Sequence, residues 1–259
     1  MAADAGTGAT GAGPLLAVRD LHAGYGDLTI LRGVDLELAA GSMTAVIGAN
    51  GAGKSTLLKA VFGTVRASRG RIEVNGVDVT GASAAERIGD GVVLVPQGRN
   101  NFPQLDVVEN LEMGAFTRTD KQVKQDIAAA LERFPILGER RNEMAGNLSG
   151  GEQQLLEMAM AFMLCPRLVL VDEPSLGLSP KMQEVVFGAL ADLRAAGVGI
   201  LMVEQNAVQA LNLADSAIVL ELGRIGASGS GVEMLDDAHV RKAYLGLAPV
   251  DTTEEATNP

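Results

Sequence analysis

Met43-Thr44-Ala45-Val46-Ile47-Gly48-Ala49-Asn50-Gly51-Ala52-Gly53-Lys54-Ser55-Thr56 is the stretch on which the reading of this chain turns. A short apolar run leads into a glycine-rich turn, and Gly53 to Phe62 then predicts a helix. Gly48, four residues, then Gly53-Lys54-Ser55 is the pattern of a phosphate cradle in its proper strand–loop–helix setting. Glycines let successive backbone N–H groups curl around an anion with no side chain in the way. The helix N-terminus adds roughly half a unit of positive charge. Lys54 supplies a full cation to the terminal phosphates, and the Ser55 hydroxyl is a ligand for Mg²⁺. The expected phosphate contacts therefore run through Gly48, Ala49, Asn50, Gly51, Ala52, Gly53, Lys54, Ser55 and Thr56.

Leu168-Val169-Leu170-Val171-Asp172-Glu173 complements that cradle. A buried apolar strand delivers Asp172 at its end, as a metal-binding carboxylate, and Glu173 next to it polarises a water against a terminal phosphate. Together the two stretches predict Mg²⁺-dependent hydrolysis of a nucleoside triphosphate. Val92–Val95, Ile200–Val203 and Ala217–Leu220 are further buried-strand candidates, and Arg71–Val74 before the turn dipeptide Asn75-Gly76 predicts a small antiparallel portion. From Gly98 to Pro166 only helical patterns appear. Val123, Ile127, Leu131 and Phe134 share one helix face, as do Leu155, Met158, Ala159 and Phe162. Ser179-Pro180 opens another helix that Gly197 closes. The expected fold is α/β: a mostly parallel core sheet, a small antiparallel β portion near the N-terminal end, and an inserted all-helical lobe at about 98–166.

The whole sequence has 259 residues and a formal charge of −11, with 47% hydrophobic residues. No apolar run reaches the roughly 18–20 residues of a membrane span. The acidic balance argues against a polyphosphate backbone as partner, hence no nucleic acid. It equally gives no support for a polybasic lipid anchor. Residues 1–14 and 248–259 are expected to be disordered tails, and Asp4, Asp251, Glu254 and Glu255 in them leave −7 on the body. The single cysteine, Cys165, lies in an apolar stretch and is expected to be a buried small hydrophobe. His22 and His239 lack metal-ligand neighbours and are expected at the surface.

Leu148-Ser149-Gly150-Gly151-Glu152-Gln153 begins the second amphipathic helix of the lobe. A capping box accounts for Ser149 and Glu152. Two adjacent glycines in a first helical turn need another reason, such as close approach of an anion to the backbone. This segment, with Lys54 before it and Asp172-Glu173 after it, resembles the ATP-binding cassette (ABC) ATPases, of which Leu-Ser-Gly-Gly-Glu-Gln is the hallmark. The resemblance covers 15–247 and implies a P-loop ATPase core as the nucleotide-binding domain.

The resemblance implies further roles. Two cassettes pair head to tail, so Ser149, Gly150, Gly151 and Glu152 of one contact ATP held by Lys54 of the other. Tyr25 is placed against the adenine ring. Gln97 links Mg²⁺ and the attacking water to the helical lobe, so the metal set is Ser55, Gln97 and Asp172. Gln205 stands where the usual member has a histidine sensing the γ-phosphate, and Leu178 where most have an aspartate. Glutamine still donates a neutral hydrogen bond but exchanges no proton. These two departures, with Gly98-Arg99, Phe102-Pro103, Glu109-Asn110-Leu111 and Ala243-Tyr244-Leu245-Gly246, resemble the smaller ATPase subunit of bacterial high-affinity branched-chain amino acid uptake systems. That branch implies ATP and Mg²⁺ as cofactors. It implies a second ATPase subunit (a different chain, or a copy of itself), two membrane permeases, and an extracytoplasmic binding protein acting indirectly. The implied location is the cytoplasmic face of the inner membrane, as a peripheral subunit. Phe102 is either a permease-docking residue or core. The motor of a related urea/amide or other amino acid importer is the alternative cargo reading, and a soluble non-transport ABC ATPase the alternative class.

Overall fold

The computed structural model describes residues 13–245, apart from Arg99 and the side chain of Leu245. The chain opens on a long antiparallel pair, β1 (Leu16–Tyr25) and β2 (Leu28–Leu38), and then enters β3 (Met43–Ile47) and the helix α1 (Lys54–Phe62). β4 (Ala67–Val74) turns through Asn75-Gly76 into β5 (Val77–Asp78), α2 (Ala84–Gly89) follows, and β6 (Val92–Val95) leads to the helical insertion. The insertion comprises α3 (Val107–Gly114), α4 (Val123–Arg133), α5 (Pro135–Glu139) and α6 (Gly150–Phe162). β7 (Leu168–Asp172), α7 (Pro180–Ala195), β8 (Gly199–Val203), α8 (Ala207–Leu213), β9 (Ser216–Glu221), β10 (Arg224–Ser230), α9 (Gly231–Asp236) and α10 (Ala238–Val240) complete the described chain, with a π-helical turn at Arg241–Leu245.

Two sheets result. One has the order β2-β1-β4-β5 and is antiparallel throughout. The other has the order β10-β9-β3-β8-β7-β6, with every pairing parallel except the edge pair β10–β9. The mostly parallel core and the antiparallel portion expected from the sequence are both present, and the antiparallel portion is larger than the single hairpin the sequence suggested. β1 was not evident because register shifts between Val18 and Leu21 break its two-residue alternation. Asp20, at the irregularity, has φ +44.

The core strands read as continuous apolar runs because both of their faces are covered. Met43, Ala45, Val169, Val171, Ile200 and Met202 pack on the side of the helical insertion with α6 to α8. Val46, Leu168, Leu170, Leu201 and Val203 face the other way, onto α1 and the antiparallel sheet. The phosphate-loop helix α1 is thus held between two sheets by Leu57, Leu58, Ala60 and Val61.

Among the described residues four helices carry capping boxes: Ser83/Glu86, Asp106/Glu109, Ser149/Glu152 and Ser230/Glu233. Between β6 and β7 the described chain is helical, with one isolated bridge, Asp106–Met144. Arg118, between α3 and α4, ties that loop to the end of α6, donating to the Met163 carbonyl at 2.6 Å and pairing with Asp120 and Asp126.

One expectation about packing fails. Cys165 is exposed, not buried. It stands beyond the end of α6 at φ +50, its N–H bonded to the Phe162 carbonyl, so the chain reverses there. Met163 and Leu164 take the core-facing places in that turn, leaving Cys165 pointing outward. His22 is half-buried and His239 exposed. The disordered tails expected at 1–14 and 248–259 lie outside the described residues, except Gly13 and Pro14.

Candidate active site

The phosphate loop leaves β3 at Gly48, where a Cβ would come within 2.3 Å of the Leu220 carbonyl oxygen. Only glycine fits there. Gly53 caps α1 at φ +108, a left-handed backbone that an L side chain enters under strain. The β9–β10 turn backs the loop, since the Gly223 N–H bonds the Ala52 carbonyl at 2.9 Å. Lys54 is only 6% exposed. Its Nζ donates to the carbonyls of Gly48 at 2.8 Å and Ala49 at 3.2 Å, so the ammonium lies against the loop itself.

β7 brings its acids to the same end of the sheet. The Ser55 hydroxyl donates to Asp172 Oδ1 at 3.1 Å. Glu173 follows with φ +50, and its N–H bonds the Val203 carbonyl at 2.9 Å. The Gln97 amide, from the loop after β6, donates to Glu173 Oε2 at 2.9 Å. Burial pushes the Asp172 carboxyl above the ordinary carboxylate range, against the pull of Ser55, Lys59 and Lys54. Glu173 is raised as well, by burial first and then by the neighbouring Asp172 charge. The tertiary structure therefore joins Ser55 to Asp172 and Gln97 to Glu173, residues far apart in the chain.

The remaining candidates stand apart from that cluster. Tyr25 is exposed at the end of β1, opposite Leu28. Gln205 is exposed, and its backbone N–H is held by Glu204 Oε2 at 3.0 Å. Ser149 is exposed at the start of α6, where its hydroxyl accepts the Glu152 N–H and its own N–H donates to Glu152 Oε2. Glu152 is also paired with Arg140 at 3.2 Å. At Gly151 a Cβ would meet Met182 Cγ of α7 at 2.9 Å, so close packing against α7 also favours glycine there. Leu178 is half-buried against the core, and Ser179 follows it at the N-cap of α7.

Two buried charged residues escaped sequence reasoning, Glu204 beside the site and Arg87 at the other end of α1. Glu204 is 2% exposed and accepts the backbone N–H of Ser175 at 2.9 Å. Its position directly after an apolar strand is close to the signal that marked Asp172 at the end of β7. Arg87, also 2% exposed, donates to the carbonyls of Ala60 and Val61, both at 2.7 Å, near the C-terminal end of α1. Nothing local in the sequence marks it, because its acceptors are backbone carbonyls.

Residues 31–176 match the ABC transporter family. The high-affinity branched-chain amino acid transport ATP-binding protein BraG of Pseudomonas aeruginosa is 45% identical over 224 residues, covering 86% of this chain and 95% of that protein. A probable branched-chain amino acid transport ATP-binding protein, LivF of Archaeoglobus fulgidus, is 40% identical, covering 88% of this chain and 97% of that one. The lipopolysaccharide export ATP-binding protein LptB of Acidithiobacillus ferridurans is 32% identical, with 90% and 97% covered. Among solved structures, the ADP conformation of an ATP-binding cassette of an ABC transporter superposes with a TM-score of 0.81 at 28% identity, covering 90% of this chain and 99% of that one.

Proposed function

Since the chain belongs to the ABC transporter family and is an ATP-hydrolysing transporter subunit, we propose that its transporter imports branched-chain amino acids. The observation that carries the cargo reading is the 45% and 40% identity to branched-chain amino acid transport subunits over nearly their whole lengths, against 32% for the export relative.

The proposed chemistry follows from the cluster. Backbone N–H groups of Gly48–Thr56, the α1 N-terminus and Lys54 bind the phosphates. On binding, the Lys54 ammonium exchanges loop carbonyls for phosphate oxygens. Glu173 orients the attacking water, its raised carboxyl being a better proton acceptor than an ordinary glutamate. Gln97, bonded to Glu173, fixes where that carboxylate points. The Ser55 hydroxyl, the buried Asp172 carboxylate it donates to, and the amide oxygen of Gln97, whose nitrogen donates to Glu173, would be an all-oxygen donor set that suits Mg²⁺. That ion, when bound, neutralises phosphate charge and offsets the desolvation that raises Asp172. Tyr25 stacks on the base, and Gln205 senses the γ-phosphate by a neutral hydrogen bond. Ser149, Gly150, Gly151 and Glu152 close on the ATP of a second cassette, a different chain or a copy of this one.

No helix of the described residues is long and apolar enough to cross a membrane, so the proposed membrane contact is through two permease subunits at the cytoplasmic face of the inner membrane. A groove of about 320 Å³ lined by Val95, Pro96, Asn100, Met113, Phe116 and Met160 is the proposed permease seat. Phe102 is exposed rather than core, which leaves it the docking reading, and Phe116, 79% exposed in the groove, is a second proposed docking residue. The extracytoplasmic binding protein acts only through those permeases.

Uptake of labelled leucine in cells lacking this chain, restored by the wild type and not by Glu173→Gln, tests the cargo and the base together. Normal leucine uptake with lost urea or amide uptake would reject the amino acid reading.

A further inference from the structure

We propose that Glu204 is a positioning residue for hydrolysis: its buried carboxylate ties the loop after Glu173 to the loop that presents Gln205. The inference rests on the reading of Glu173 as the group that orients water. Glu204 lies at the end of β8, next to β7 in the parallel sheet, where Asp172 is the register partner of Val203. One carboxylate oxygen, Oε1, accepts the Ser175 N–H at 2.9 Å. The other, Oε2, accepts the N–H groups of Gln205 at 3.0 Å and Asn206 at 3.4 Å. At 2% exposure this is not a solvated strand end. A desolvated carboxylate persists only where fixed donors replace water, and all three donors here are backbone groups of two site loops.

The consequence falls on Glu173. Its φ of +50 is unusual for a residue with a side chain, and a conformation of this kind survives only where its surroundings over-determine it. The structure does so from both sides. The Glu173 N–H is held by the Val203 carbonyl at 2.9 Å, and Ser175, two residues on, is held by the side chain of the residue after Val203. A second tie runs in parallel: Gln209 of α8 donates to Gln183 Oε1 at 3.1 Å, and Gln183 Nε2 donates to the carbonyls of Ser175 and Leu178, both at 3.3 Å. A displacement of the Gln205 loop is thereby passed to the segment behind Glu173. Glu204 acts through Glu173 and needs no contact with the nucleotide.

The test uses the full chain and compares turnover with affinity. Glu204→Asp, one methylene shorter, still caps the N–H groups of its own loop but no longer reaches Ser175. It is expected to lower kcat for ATP 10- to 100-fold while affinity for a fluorescent ATP analogue stays within threefold. Glu204→Gln keeps the reach and one acceptor and is expected to retain more of kcat than the shorter variant. In single-turnover measurements, Glu173→Gln combined with Glu204→Asp is expected to be no slower than Glu173→Gln alone. Wild-type kcat in Glu204→Asp, a parallel fall in affinity and kcat, or an additive loss in the double variant would each overturn the proposal. If Glu204→Asp does not fold by circular dichroism, Glu204→Gln carries the same double-variant comparison. A normal rate in Glu173→Gln would overturn the assignment of Glu173 itself, whereas an impaired Glu173→Gln beside a normal Glu204→Asp overturns only the role of Glu204.

Discussion

Arg87→Met removes the one buried cation at the far end of the phosphate-loop helix while keeping an unbranched side chain of similar length. The guanidinium makes three hydrogen bonds, to Ala60 and Val61 at 2.7 Å and to Thr80 at 3.1 Å. No carboxylate lies within ion-pair distance of it among the described residues. Burial lowers its pKa, with Asp78 the opposing charge. What holds the cation is the negative end of α1, whose last-turn carbonyls it satisfies. In the variant the Ala60 carbonyl keeps the Gly63 N–H, at 3.2 Å, while the Val61 and Thr80 carbonyls lose Arg87. A buried acceptor left without a donor costs roughly 1–3 kcal/mol, and the part-buried Thr80 contact costs less than the buried Val61 one, so the pair loses roughly 2–5 kcal/mol. Relief of the buried charge, whose Nε already lacks a partner, offsets part of this. The expected net destabilisation is about 2–4 kcal/mol. In a domain of this size that corresponds to a fall in Tm of roughly 5–15 °C, read by thermal and urea unfolding without nucleotide. Arg87→Lys, with one point-like donor group in place of the fork, is expected to lie between. A Tm unchanged within a degree, or raised, would refute the view that this cation secures the end of α1.

Gly151→Ala drives a methyl to within 2.9 Å of Met182 Cγ and is expected to destabilise by roughly 1–3 kcal/mol, with part of the loss recovered by Met182→Ala in a thermal double-mutant cycle. Tyr25→Ala is expected to weaken ATP binding by the equivalent of about 1–3 kcal/mol of base stacking, while Tyr25→Phe leaves affinity close to wild type in equilibrium titrations. Tyr244 donates to Glu221 Oε1 at 2.7 Å, and burial followed by that carboxylate pushes its hydroxyl up to about 12. Its folded-state pKa is raised, so the stabilisation is fully present below the ordinary value near 10 and is lost as pH rises through about 12. With only two tyrosines in the chain, absorbance titration of Tyr25→Phe isolates Tyr244, and ionisation near 10 would contradict the contact.

Much of the site was readable from residues alone because its chemistry is local. Gly48, Gly53, Lys54 and Ser55 belong to one strand–loop–helix segment, so their spacing carries the geometry of the loop. The core strands were readable for a related reason: β7 and β8 are buried on both faces, and a run such as Leu168–Val171 has no solvated alternative. Ser149 and Glu152 announced a helix start because a capping box closes within four residues.

Contacts between distant segments were decided by the tertiary structure. Cys165 sits in an apolar stretch, yet a left-handed turn after α6 faces it outward, and the direction of a turn is not an attribute of composition. Gly151 also lies against Met182 of another helix, a reason for glycine that no local pattern carries. The joining of Ser55 to Asp172 and of Gln97 to Glu173 follows from strand order, which brings β6 and β7 to the same sheet end as the loop after β3. Arg87 and Glu204 are the clearest cases, since each is a buried charge whose partners are backbone N–H or C=O groups. Every residue except proline offers both groups, so no pattern of side chains identifies which ones a fold will leave in need of a partner.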